Sequence, residues 1–218
     1  MSAPLLRLQG VRVAYGDGRT VLDGVDLDVA AGDRLAIGGV NGAGKSTLLR
    51  TMMGLQRLSA GRVWAYGRER LRPRDFHEVR LRTGLLFQTP EDQLFCPTVR
   101  EDVAFGPRNQ GLGPADADAR CDETLAALGL QALASRATHR LSGGEARLVA
   151  LATVLAMRPE VLLLDEPLLG LDEENERRLV GILADLPQAM VVVGHERHLE
   201  RTLGLRAWRL AAGRLHPA

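Results

Sequence analysis

The sequence predicts an α/β fold with a mainly parallel core sheet, an N-terminal antiparallel β subdomain and an inserted helical subdomain. Three observations carry this. A glycine-rich stretch, Gly39-Val40-Asn41-Gly42-Ala43-Gly44-Lys45-Ser46-Thr47, lies between an apolar run at 35–37 and a helical pattern at 48–53. Two further apolar runs, 161–164 and 190–193, end at Asp165 and at Gly194-His195 and are separated by a helical pattern, as strands of a parallel sheet are. Between 89 and 140 the character changes, and apolar residues recur at helical spacing.

In chain order, 6–8 and 11–13 alternate and read as two strands, with Tyr15-Gly16-Asp17-Gly18-Arg19 as a turn. Alternation returns over 21–29, an exposed antiparallel strand, and Ala31-Gly32-Asp33 turns the chain into the strand at 35–37. Ser59-Ala60-Gly61 is a turn before a strand at 62–65. The arginine-rich segment 68–82 is interrupted by carboxylates and apolar residues, so it reads as a solvated face rather than a nucleic-acid patch. A short buried strand at 85–87 ends at Gln88. Helices are predicted over 99–105 and 116–128, with Gly106-Pro107 and 111–114 as breaks. Leu141-Ser142-Gly143-Gly144-Glu145 opens a helix to about Met157, 161–165 is a strand, 173–184 a helix and 190–194 a strand ending at His195. A single domain is expected over 1–218, with its core at about 1–88 and 158–218 and its helical subdomain at about 89–157.

Gly, four residues, then Gly-Lys-Ser between strand and helix is the phosphate-binding P-loop, so the expected ligand is a nucleoside triphosphate. Glycines let successive N–H groups converge on one anion, and the helix start adds partial positive charge. Lys45, the only lysine in the chain, can reach the β- and γ-phosphates, and Ser46 can offer its hydroxyl to Mg²⁺. Asp165, ending a wholly apolar strand, can hold the Mg²⁺ shell from the opposite side. Glu166 beside it can act as general base on an attacking water. His195, at the end of another buried strand, can contact the γ-phosphate, and Ser142-Gly143-Gly144 at a helix start forms a second anion site.

Composition narrows the partners. A chain of 218 residues with 45% hydrophobic residues can bury a real core. A net charge of +1 provides no basic field for nucleic acid. Cys96 and Cys121 are too few for a disulfide framework or a zinc site, which fits a reducing compartment. No basic N-terminal segment precedes a long apolar stretch, and no run approaches the roughly 20 apolar residues of a spanning helix. Any membrane role is therefore expected to come through a partner.

Together these motifs resemble the ATP-binding cassette (ABC) ATPases, over essentially the whole chain. Leu141-Ser142-Gly143-Gly144-Glu145 is similar to their signature motif, which ordinary P-loop enzymes lack. The resemblance makes Gln88 the Q-loop glutamine, a catalytic and Mg²⁺-facing residue, and Asp165 the Walker B aspartate. It makes Glu166 the catalytic glutamate, Gly170-Leu171-Asp172 the D-loop, His195 the switch histidine and Tyr15 the aromatic that stacks on adenine. It implies an ATPase, with ATP and Mg²⁺, in which Ser142 to Gly144 serve the partner's ATP. Two cassettes then close head-to-tail around two nucleotides, as a homodimer or a heterodimer.

A narrower resemblance runs through Phe87-Gln88-Thr89-Pro90-Glu91-Asp92-Gln93-Leu94-Phe95, Pro97-Thr98-Val99, 102–107 and 152–157. These segments are similar to the ATPases of energy-coupling-factor importers, especially those for cobalt or nickel. The implied partners are a second ATPase, a transmembrane coupling protein and a membrane substrate-binding protein, at the cytoplasmic face of the membrane. The same role for a vitamin such as biotin, or for another small solute, stays open, because the substrate is read by the membrane subunit. A non-transport cassette in DNA repair or translation would carry long coiled coils or two fused cassettes. A regulatory subunit with dead chemistry is opposed by Lys45, Asp165, Glu166 and His195. Departures from the family pattern are Val40 for proline, Leu168-Leu169 for small residues before the D-loop glycine, Leu148 for arginine and Glu196 for aspartate. The chain stops soon after Trp208-Arg209-Leu210, so dimerisation is expected to depend on ATP or on the membrane partner.

Overall fold

Residues 3–16, 18–194 and 197–218 are described by a computed structural model. The strands are β1 (Leu6–Ala14), β2 (Thr20–Val29), β3 (Arg34–Gly38), β4 (Ala60–Ala65), β5 (Arg68–Arg70), β6 (Thr83–Leu86), β7 (Val161–Asp165), β8 (Ala189–Val193), β9 (Arg206–Ala211) and β10 (Arg214–Pro217). The helices are α1 (Lys45–Met52), α2 (His77–Arg82), α3 (Val99–Asn109), α4 (Pro114–Ala127), α5 (Gly143–Leu155), α6 (Glu173–Asp185) and α7 (Arg197–Thr202). They group into two compact units, Met1–Leu85 with Glu160–Glu166 and Pro187–Ala218, and Leu86–Pro159 with Pro167–Leu186.

The first unit carries an antiparallel sheet of order β2-β1-β4-β5. The two strands expected at 6–8 and 11–13 are one strand with a bulge. Leu6 and Leu8 are buried, then Val11 and Val13, so the inward-facing positions slip by one residue at Gly10. Gly10 sits at φ +56°, and its N–H bonds the Asp26 carboxylate at 2.8 Å. A bulge inserts one extra residue and so restores the buried face. β2 alternates buried and exposed positions against β1, as a sheet with one covered face requires.

The other sheet runs β10-β9-β3-β8-β7-β6, with β9, β3, β8 and β7 mutually parallel. All five residues of β7 and of β8 are buried, which is why both read as unbroken apolar runs. β3, β7 and β8 send their C-termini to one edge, the end at which such sheets bind ligands. The hairpin of β9 and β10, antiparallel to each other, extends this sheet beyond β3. The segment 68–82 is more than a solvated face. Phe76, Val79 and Arg70 are buried, and the Arg70 guanidinium donates to the carbonyls of Ala65 and Asp75 and to Glu78.

In the second unit α3 continues through the expected break at Gly106-Pro107 and ends before Gly111, at φ +91°. Proline removes one helical hydrogen bond, but the tertiary packing here favours the helix. A Cβ on Gly106 would lie 2.5 Å from Met157 Cγ, so the glycine lets the chain after α5 press against α3. α5 is apolar almost all round, with Ala146 and Leu148 to Ala152 buried, as expected of a helix enclosed on every side.

Candidate active site

The loop 39–47 leaves β3 and enters α1. Three glycines make its curl possible, and Gly42 takes φ +77°. Gly44, the N-cap of α1, has φ +103°, and a Cβ there would meet Val21 Cγ1 at 2.6 Å. Gly39 has φ +157°, and a Cβ would lie 2.5 Å from the Leu210 carbonyl oxygen on β9. Gly39→Ala is therefore expected to displace the loop or the β9 edge, weakening ATP binding by about 10- to 100-fold. Equilibrium nucleotide titration checks this, and wild-type affinity would show that the loop tolerates the collision.

Lys45 is the first residue of α1 and is buried, its ammonium donating to the Gly39 carbonyl at 2.8 Å. It lies 3.9 Å from Glu166 Oε1. Thr47 bonds the Tyr15 hydroxyl at 2.9 Å, which fixes the half-exposed tyrosine ring beside the start of α1. Asn41 and Val40 are exposed on the loop. A cleft of about 260 Å³ opens beside Gly42 and Ala43, walled by Arg19, Val21 and the turn between β9 and β10.

Asp165 and Glu166 follow from the end of β7. Asp165 is buried, and burial pushes its carboxyl pKa up, against the opposing hydrogen bond from Ser46. Its Oδ1 atom is enclosed without a hydrogen-bond partner. Glu166 adopts the left-handed conformation at φ +45°, and its N–H bonds the Val193 carbonyl at 2.8 Å. Left-handed backbone costs a non-glycine residue about 1–2 kcal/mol, and such strain concentrates at functional positions. Here it turns the chain directly after β7, with Glu166 within reach of Lys45. His195, expected to follow β8, lies outside the described residues.

The remaining expected residues belong to the second unit. Leu141 precedes the helix, and Ser142 is the N-cap of α5, ahead of Gly143 and Gly144. Ser142 and Glu145 form a reciprocal capping box, with Ser142 N–H on the Glu145 carboxylate at 2.8 Å and Glu145 N–H on Ser142 Oγ at 3.3 Å. The Ser142 N–H, aided by Arg136 at 2.7 Å, holds the Glu145 carboxyl below its usual pKa. Asp172 caps α6 by accepting from Asn175 N–H at 2.8 Å. A Cβ on Gly144 would lie 2.4 Å from Asn175 Nδ2, so the start of α5 rests on the start of α6. Leu168 is buried and Leu169 exposed just before this turn.

Sequence reasoning missed Arg147 and Gln93. Arg147 stands buried on α5, its guanidinium donating to the Phe87 and Gln88 carbonyls at 2.6 Å each. Gln93 accepts from Phe87 N–H at 3.1 Å and donates to the Ala150 carbonyl at 2.7 Å. One signal was available for Arg147, which is the only charged residue between Ala146 and Met157.

Residues 22–169 match the family model described as ABC transporter. A Brucella suis biovar 1 protein that carries only a provisional name, as an ABC transporter ATP-binding protein, is 51% identical over 215 residues, 99% of this chain and 89% of the relative. The cobalt import ATP-binding protein CbiO of Rhodobacter capsulatus is 45% identical over 216 residues, 97% of this chain and 77% of that protein. Among solved structures, CbiO1 of Clostridium perfringens, described as part of the ABC transporter complex CbiONQ, superposes with a TM-score of 0.85 at 31% identity. That match covers 98% of this chain and 87% of the other.

Proposed function

This chain belongs to the ABC transporter family as an ATPase coupled to transport, and from that premise we propose that it powers an energy-coupling-factor importer of cobalt or nickel. One observation carries the catalytic half of the reading. The buried Asp165 Oδ1, without a hydrogen-bond partner, sits on a carboxylate already held by Ser46, beside Lys45 and Glu166. Two oxygen donors that already meet in a hydrogen bond, one on the phosphate loop and one at the end of β7, suit Mg²⁺, which takes oxygen ligands and keeps several of its waters. Ser46 and Asp165 would hold the ion, with Gln88 as the third group the family resemblance assigns to it. When bound, Mg²⁺ neutralises charge on the β- and γ-phosphate oxygens.

The chain's own residues supply the rest. Lys45 exchanges the Gly39 carbonyl for phosphate oxygens. Glu166 takes a proton from the attacking water as that water's oxygen bonds the γ-phosphorus and the bond to the bridging oxygen breaks. Tyr15, held by Thr47, stacks on the adenine ring, and His195 is proposed to contact the γ-phosphate. The N-terminus of α5 offers Ser142 to Gly144 to the ATP of a second cassette, identical or not. ATP binds the closed pair better than the open one, so it shifts the population toward closure, and hydrolysis releases it.

Among the described residues no helix is long and apolar enough to cross a membrane. The proposed place of action is the cytoplasmic face, bound to a transmembrane coupling protein and a membrane substrate-binding protein. The similarity to a cobalt import ATPase over 97% of this chain supports the metal assignment. In cells lacking the gene, uptake of radiolabelled cobalt or nickel is expected to fall to background, and to return with the wild-type chain but not with Lys45→Ala. Full metal uptake in the deletion strain, with loss of a vitamin instead, would overturn the substrate and leave the ATPase role.

A further inference from the structure

We infer that Arg147 is a positioning residue that ties the Gln88 loop, the start of α5 and the turn at 169–172, all in the second unit, into one body. The inference rests on the reading above that Gln88 and Ser142 serve the nucleotides. The α5 helix is capped by Ser142, the proposed contact to the partner's ATP. One turn on, Arg147 is 2% exposed and spends its planar guanidinium on backbone. Nη1 donates to the Phe87 carbonyl and Nη2 to the Gln88 carbonyl, each at 2.6 Å, and Nη2 also reaches the Leu169 carbonyl at 3.4 Å. The fork shape of arginine suits two neighbouring carbonyls in a way a point charge does not.

A second clamp works on the same loop from the same helix. Gln93 closes the segment 87–93 on itself by accepting from Phe87 N–H, and it anchors that segment to α5 through the Ala150 carbonyl and Thr153 Oγ1. A third link joins α5 to α6, where Gly144 packs on Asn175 and Asn175 donates to both oxygens of Asp172. The Gln88 loop, the start of α5 and the turn at 169–172 are therefore braced on one helix. Under the proposed geometry, Gln88 faces the chain's own nucleotide and Ser142 faces the partner's. Arg147 thus sets the position of one site's residues relative to the other's, without touching either nucleotide.

The test uses the full chain with Arg147→Met and Arg147→Lys, read by amide hydrogen exchange and by steady-state ATP hydrolysis. In the methionine variant, amides of 88–94 and 169–172 are expected to exchange at least about tenfold faster. Those of 39–47, in the other unit, stay at the wild-type rate. Turnover, kcat, is expected to fall by about 10- to 100-fold, with KM and equilibrium ATP binding within about twofold of wild type. Lysine keeps the charge and stem but loses the fork, so it is expected to fall between, and it carries the same measurements if the methionine variant does not fold. Unchanged exchange in both loops, or faster exchange along the whole chain together, overturns the inference. Loosened loops with wild-type kcat overturn it as well, and Gln88→Ala then separates the two ideas. If Gln88→Ala lowers kcat, only the Arg147 inference has failed. If kcat is again unchanged, the role proposed for Gln88 has failed too.

Discussion

Glu166→Gln is expected to bind ATP as the wild type does while losing about 10²- to 10⁴-fold in turnover, the range a positioned general base contributes. The amide keeps the size and the left-handed turn of Glu166 but cannot take the proton of the attacking water. Removing that charge also spares Lys45 an anion 3.9 Å away, so affinity for ATP is expected to hold or rise slightly. With hydrolysis blocked and closure intact, two copies accumulate as an ATP-bound dimer. Phosphate release and sedimentation with ATP and Mg²⁺ read both effects. Wild-type turnover would remove Glu166 from the base role. Lost turnover with a monomer at saturating ATP would leave the base role but remove the two-chain closure.

Ser142→Arg is expected to abolish hydrolysis, by at least about 10²-fold, the scale for losing an electrostatic contact to a developing anion. ATP binding to the isolated monomer, which rests on 39–47, is expected to stay within about twofold. The substitution also removes an N-cap, worth about 1 kcal/mol, so a second variant isolates the cause. Ser142→Asp caps a helix as well as serine does, and it sets a negative charge where the partner's phosphate is to dock. Its melting temperature is expected to match wild type while hydrolysis is lost. Normal turnover in Ser142→Asp, or a large loss of monomer affinity in either variant, would show that this loop does not receive a second molecule's nucleotide.

What could be read from the residues depended on how local the physics is. The loop 39–47 was legible because strand, glycines, lysine and helix are contiguous, and its backbone curl follows from glycine's freedom at Gly39, Gly42 and Gly44. β7 and β8 were legible because strands covered on both faces must be apolar at every position. The bulge at Gly10 was half legible, since the slip in alternation between Leu8 and Val11 is in the sequence. Whether it means two strands or one bent strand is settled by pairing to β2 and β4. The passage of α3 through Gly106-Pro107 was not legible, because the helix packs there on Met157, some fifty positions later in the chain, and local propensity yields to such packing.

The sequence by itself determined the fold class and the family. It also determined a phosphate loop with Lys45 and Ser46, an acidic pair at 165 and 166 and a capped helix starting at Ser142, each written in a few consecutive residues. Tertiary structure alone decided that Asp165 is buried with one oxygen unpartnered, that Glu166 turns left-handed toward Lys45, and that the hairpin of β9 and β10 extends the sheet beside Gly39. It also decided that Arg147 faces inward, onto carbonyls of Phe87, Gln88 and Leu169. The physical reason is the kind of partner involved. A motif states which groups are present, whereas burial, strain and hydrogen bonds to backbone carbonyls depend on which distant segments fold against them, and any residue can supply a carbonyl.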